Sequence, residues 1–209
     1  SYSESVIEGV TFHMPFPGMY MVENLLAALL VCRNLGCSLD DMVHAVRTYE
    51  GISRRFDRIP SADGITVIDD YAHNPDKITA ALKAAQSLSP RVFALFQPHG
   101  FGPTRFMLEE LAAAFGKTMR NSDRLYLLPI YYAGGTAQKD ISAKDIAARI
   151  EGCEAEVLTP LHRDEAIADI CDHAGKGDVV ISMGARDPSL AGYAGRIADA
   201  LHDRMKGRN

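Results

Sequence analysis

The chain has 209 residues, 47% of them hydrophobic and 23% charged, with a formal net charge of −5. These are ordinary values for a globular protein with a sizeable core, and the acidic balance argues against a nucleic-acid partner, which calls for a basic face. No apolar run approaches the roughly 20 residues of a membrane span, so no membrane partner is expected. Cys32, Cys37, Cys153 and Cys171 form no C-x-x-C pair. Cys32 and Cys171 read as core thiols, and the usage fits a reducing cytoplasm. Ser-Tyr-Ser-Glu-Ser at the start carries no signal-peptide pattern and no initiator Met, so the chain is expected to be a piece of a longer one.

The elements follow in chain order. Residues 6–18 mix apolar and polar side chains and end in Pro-Phe-Pro-Gly, which predicts a strand and a turn. Residues 21–35 are apolar all round and stop at Gly36, which predicts a buried helix with a glycine C-cap. Ser38 with Asp41 three residues on predicts a capped helix running to about Tyr49. Gly51 to Phe56 is a short basic loop. Residues 58–60 and 65–69 bracket Ala62-Asp63-Gly64, a hairpin signal.

From Ile65 onward strands and helices alternate. Strands are predicted over 65–68, 92–96, 125–128, 155–158 and 179–183. Helices are predicted over 75–88 (Asn74 as N-cap, Pro75 at its first position), 106–120, 143–150, 164–174 and 190–205. Short apolar strands alternating with amphipathic helices predict right-handed βαβ units in a mostly parallel sheet, a Rossmann-like doubly wound α/β domain. The boundary is expected near residues 49–51: residues 1–50 are too short to stand as an independent domain, and 51–209 form the Rossmann-like one.

Such sheets bind ligands at the C-terminal ends of their strands. The first parallel strand runs into Asp69-Asp70-Tyr71-Ala72-His73-Asn74-Pro75, read as one loop at a helix N-terminus. A carboxylate there suits ribose hydroxyls, and a His with exposed amides suits a phosphate. Capping accounts for Asn74 but not for Tyr71 or His73. The second strand ends in Phe96-Gln97-Pro98-His99 and a Gly-rich stretch, with Arg105 following. A lone His99 would read as structural; its place beside the first loop points to function. Arg54 and Arg55, before Phe56 in the interdomain loop, suit phosphate and ribose contacts, although an adjacent pair alone is often a solvated face.

Arg-Arg-Phe, then Asp-Asp-Tyr-Ala-His-Asn-Pro, then Phe-Gln-Pro-His, in this order and spacing, resembles the C-terminal region of the Mur ligases. Residues 130–134 (Ile-Tyr-Tyr-Ala-Gly) and 180–185 (Val-Ile-Ser-Met-Gly-Ala) look like the same family, and residues 17–28 look like the helix closing its central ATPase domain. The branch it most resembles joins L-alanine to UDP-N-acetylmuramate. A murein tripeptide ligase, a folylpolyglutamate-type ligase and a non-catalytic binding module stay open as alternatives.

The resemblance implies an ATP- and Mg2+-dependent ligase of peptidoglycan precursor synthesis, which turns a carboxylate into an acyl phosphate for attack by an amine. It implies that residues 1–50 are the C-terminal remnant of the central ATP-binding domain. By position, Asn24 would contact adenine, Arg54 or Arg55 ribose and phosphates, and Asp70 the ribose. Tyr71 and His73 would line the nucleotide side, and His99 with Arg105 would sit near the amino acid; His73 and His99 would be the catalytic pair. Tyr20-Met21 stand where the family has His-Asn, Gly100 where alanine ligases carry Arg, and Gly135 where they carry Glu. No G-x-x-x-x-G-K-[ST] phosphate loop occurs in the chain, so it is expected to be inactive alone, with Mg2+ held mainly outside it and no metal ligands of its own. No G-x-G-x-x-G follows the first strand, which argues against a dinucleotide-binding protein.

Overall fold

The computed structural model describes residues 3–7, 9–61 and 64–206, which fall into two compact units, residues 1–52 and 53–209. In the first unit, β1 (Ser3–Ile7) and β2 (Val10–Met14) pair antiparallel. The segment read as one strand and a turn is therefore a hairpin, turning at Gly9 (φ 80°). Helix α1 (Met19–Asn34) passes its end through Gly36 at φ 85°, the left-handed residue a helix C-terminus favours. Helix α2 (Leu39–Arg47) is capped by Ser38 Oγ, which accepts from Asp41 N at 3.2 Å. Phe12, Met14, Phe16, Met21, Leu25, Leu29, Met42 and Val46 form a small core.

The prediction that α1 is buried all round is corrected. Only Met21, Leu25 and Leu29 are buried on it, while Leu26, Leu30 and Val31 are exposed, the last two by 63% and 60%. A 52-residue unit lacks the second layer that a two-sided apolar helix needs. Cys32 is half-buried against this core, and Cys171 likewise in the second unit, so neither is the fully buried thiol expected.

The second unit is a six-stranded sheet flanked by helices. Its strands are β3 (Asp57–Ile59), β4 (Thr66–Asp70), β5 (Val92–Gln97), β6 (Arg124–Leu127), β7 (Glu156–Leu158) and β8 (Val179–Gly184), in the order β3-β4-β8-β5-β6-β7. Only β3 is antiparallel. The β3–β4 hairpin forms as predicted, though Ala62 and Asp63 of its turn lie outside the described residues. β5 and β8 are buried along their whole length, as expected of central strands covered on both faces. On one face α3 (Pro75–Gln86) packs on α5 (Leu108–Thr118), which in turn meets α6 (Ala143–Ala147). On the other, Val67, Phe93, Leu95 and Val180 pack on α7 (Arg163–His173) and α8 (Tyr193–Lys206).

The helix expected over 106–120 is α5, and the Gly-rich stretch after His99 adds a short helix before it, α4 (Phe101–Phe106). The chain moves from β4 to β7 through helices on one face, then returns through α7 to insert β8 between β4 and β5. The helices leaving β4 and β5 therefore lie opposite the helix leaving β8. In open α/β sheets such a topological switch is where ligands bind, and here it falls at the C-terminal ends of β4, β8 and β5. Among the described residues no helix is long and apolar enough to cross a membrane.

Candidate functional site

At the N-terminal edge of the sheet the charges are paired. Asp178 accepts from Arg91 Nε at 3.1 Å, and Asp123 takes Arg120 Nη2 and Val92 N, both at 2.8 Å. These groups close the sheet and leave nothing for a ligand. The C-terminal edge differs: it collects Arg55, Tyr71, His73, His99 and Arg186, and among the described residues neither Arg55 nor Arg186 has a hydrogen bond or an ion pair.

β4 ends in Asp69 and Asp70, which are strand residues rather than part of an exposed loop, 2% and 6% exposed. Asp70 Oδ2 accepts from Phe56 N at 2.8 Å and Oδ1 from Ala72 N at 2.7 Å. Asp70, expected at the ribose, thus has each oxygen accepting from a backbone amide, and the carboxylate braces the basic loop. Burial holds its pKa above the usual carboxylate value, against those two bonds. Phe56, at φ 54°, and Arg54, at φ 61°, are held by this bracing in a left-handed conformation that a side chain disfavours.

The two arginines separate. Arg54 Nε donates to Asp69 Oδ2 at 3.0 Å, Arg54 Nη2 donates to the Gly184 carbonyl at 2.9 Å, and its guanidinium lies 5.0 Å from the Tyr71 ring centre. It stitches β4 to β8, so the expected phosphate contact does not fall to Arg54. Arg55 is exposed and rests over the same ring at 5.6 Å. Burial lifts Asp69 to about 6 despite Arg54. Its Oδ1, like Ser182 Oγ beside it in the β4–β8 register, is buried without a partner among the described residues.

Tyr71 and His73 meet edge to face at 5.5 Å, and His73 meets His99 at 5.7 Å. His73 Nδ1 donates to the Tyr71 carbonyl at 2.9 Å; that oxygen only accepts, so Nε2 is the free acceptor of the neutral ring. Asn74 Oδ1 caps α3 by accepting from Lys77 N at 3.0 Å. His99 extends the sheet edge by bridging to Tyr131. Burial, then the charges of His73 and Arg186, hold its pKa below the usual value, so it is neutral at pH 7.

Arg105 is not brought to this cluster: its guanidinium pairs with Asp140 and donates to the Gln138 carbonyl at 3.3 Å. Asn24 is exposed on α1 in the other unit. The sequence reading quoted Asp69 and Gly184 without giving either a role of its own, and it did not single out Arg186. The signal was available: residues 184–186 follow a parallel strand, the same position that singled out the other two loops. A Cβ on Gly184 (φ 150°) would stand 2.9 Å from the Gln97 carbonyl and 2.7 Å from Leu190 Cδ2, so only glycine lets β8 and β5 close here.

A family described as "Mur ligase, glutamate ligase domain" matches residues 54–186. UDP-N-acetylmuramate–L-alanine ligase of Acetivibrio thermocellus is 34% identical over 172 residues, covering 82% of this chain and 36% of that protein. Two solved structures from Thermotoga maritima share the fold. UDP-N-acetylmuramate-alanine ligase MurC has a TM-score of 0.71 at 22% identity, over 96% of this chain and 41% of its own. MurF ligase in complex with ADP has a TM-score of 0.69 at 16% identity, over 100% of this chain and 44% of its own. The chain thus spans well under half the length of these relatives.

Proposed function

Because the chain belongs to the Mur ligase, glutamate ligase domain family, we propose that it is the C-terminal portion of an ATP-dependent ligase that joins L-alanine to UDP-N-acetylmuramate in the cytoplasm. ATP supplies the phosphoryl group that activates the acceptor carboxylate for attack by the amine. Residues 53–209 serve as the domain that meets nucleotide and amino acid, and residues 1–50 as the end of a central ATP-binding domain. The exposed apolar side of α1, with Leu30 and Val31, supports the second assignment, since such a stripe belongs against a further layer.

One observation carries the reading: an exposed, unpaired Arg55 lies over Tyr71, next to the His73–His99 pair at the switch point of the sheet. Cations fixed there suit an anionic reaction, because phosphoryl transfer depends on positioning and on stabilising developing charge. Arg55 makes the phosphate contact and Tyr71 holds it, while Arg54, Asp69 and Asp70 keep the loop in shape. His73 offers Nε2 toward the nucleotide side. His99, neutral at pH 7, can accept a proton from an incoming ammonium group, and the free amine is the nucleophile. On this reading the Mg2+ that accompanies ATP is held mainly by the central domain of the parent protein.

The test is Arg55→Ala in the parent polypeptide. The lost charged contact should lower kcat/KM for ATP by about tenfold or more while the melting temperature stays near wild type. Arg54→Ala should instead lower the melting temperature. An Arg55→Ala enzyme with unchanged kcat/KM would remove Arg55 from the nucleotide site.

A further inference from the structure

The residue after His99 is Gly100, which offers no side chain, and the nearby cation, Arg105, is spent on Asp140 and the Gln138 carbonyl. The site is thereby short of a cation on the His99 side, and β8 brings one. In the β5–β8 register Gln97 is level with Gly184, and beyond these strand ends Arg186 lies near enough to His99 for its charge to act on the ring. Arg186 is exposed, and its guanidinium has no hydrogen bond or ion pair among the described residues. Its sequence neighbour Asp187 does not neutralise it: that carboxylate pairs with Arg163 and accepts from Ser189 N at 2.9 Å and Ser189 Oγ at 2.7 Å.

The backbone adds an independent sign. Arg186 sits at φ 66°, where glycine would be unstrained, in a tight turn closed by Asp187 N donating to the Ala185 carbonyl at 2.9 Å. A long cationic side chain at a glycine-like position, with no hydrogen-bond or ion-pair partner among the described residues, points to a contact outside the chain.

We propose that Arg186 is an oxyanion-binding residue of this site, whose guanidinium takes the carboxylate of the incoming amino acid beside His99. It rests on the ligase reading for the identity of that carboxylate; the oxyanion chemistry, which a phosphate shares, does not. A guanidinium presents two parallel N–H donors to either group. Holding the carboxylate there would present the amine of the same small molecule to His99.

The experiment uses the chain itself, wild type and Arg186→Gly, with isotope-detected resonances of Arg186 Nε and the His99 ring. Probes are L-alanine, acetate, inorganic phosphate and ADP. The variant should fold with an equal or higher melting temperature, because glycine relieves the turn. Saturable shifts with L-alanine or acetate that weaken at least tenfold in Arg186→Gly support the carboxylate. Shifts with phosphate or ADP alone, lost in the same variant, keep the oxyanion site and overturn the amino acid as its source. Equal responses in both proteins, or none to any probe in wild type, overturn the proposal. In the parent polypeptide, Arg186→Gly should raise KM for the amino acid at least tenfold. An unchanged KM in an active enzyme overturns the inference and leaves the ligase reading intact. A parent with no ligase activity overturns that reading and leaves the resonance titration to judge Arg186.

Discussion

Asp69 points one oxygen at Arg54, while Asp70 accepts from the amides of Phe56 and Ala72. Two adjacent carboxylates thus fix a basic loop from two sides. The arrangement explains why one arginine of an adjacent pair is available to a ligand and the other is not: Asp69 and the Gly184 carbonyl hold Arg54 in place, and among the described residues no hydrogen bond or ion pair engages Arg55. It also has a pH signature. Asp69 has a folded pKa of about 6 against 3.8 for an unperturbed carboxyl, so the folded state binds its proton more tightly. Its contribution to stability is complete below about pH 4, falls as the pH rises toward 6, and is flat above that. Denaturant unfolding of wild type and Asp69→Asn between pH 4 and 7 should show wild type losing up to about 3 kcal/mol relative to the variant across that window. A difference that does not change with pH would mean that Asp69 is ionised throughout.

At the scale of elements, signals carried by short stretches were legible. Asn74 and Pro75 open α3, Ser38 opens α2, and Gly36 follows α1, each as local chemistry requires. The run of apolar strands announced a sheet covered on both faces, and β5 and β8 are covered so. Where the reading failed, a longer-range fact decided. Before the helix predicted over 106–120 stands a further short one, α4, where Gly100 to Gly102 had read as a loop. Residues 69 and 70 remain in β4 because each pairs with β8. That β8 lies between β4 and β5 is invisible in local periodicity, and it is what brings Gly184 and Arg186 to the site. Gly184→Ala tests this junction. The new Cβ meets the Gln97 carbonyl at 2.9 Å, backbone that cannot swing away, so thermal unfolding should show a loss of about 2 kcal/mol or more. A melting temperature equal to wild type would show that the strands can part at no cost.

For the whole molecule, the candidate site divides by how its residues were found. Tyr71, His73 and His99 were legible because they follow parallel strands, and the fold brings their rings together. The partners of Asp70, Arg54 and Arg105 were not, because they lie 14 to 130 residues away, at Phe56, Gly184 and Asp140. Asn24 stands in the other unit, on the helix whose Leu30 and Val31 are exposed. Under the proposed reading, a chain with this family's C-terminal fold and no phosphate loop would offer Arg55 to a nucleotide but no amide cradle for its phosphates.

The most direct measurement is phosphate release with ATP, Mg2+ and UDP-N-acetylmuramate across single amino acids, run in parallel on this chain and on its parent polypeptide. Release by the parent that depends on L-alanine, with none from the chain alone, is the predicted result. Release by the isolated chain, or a folded parent that releases phosphate with no amine, would contradict it.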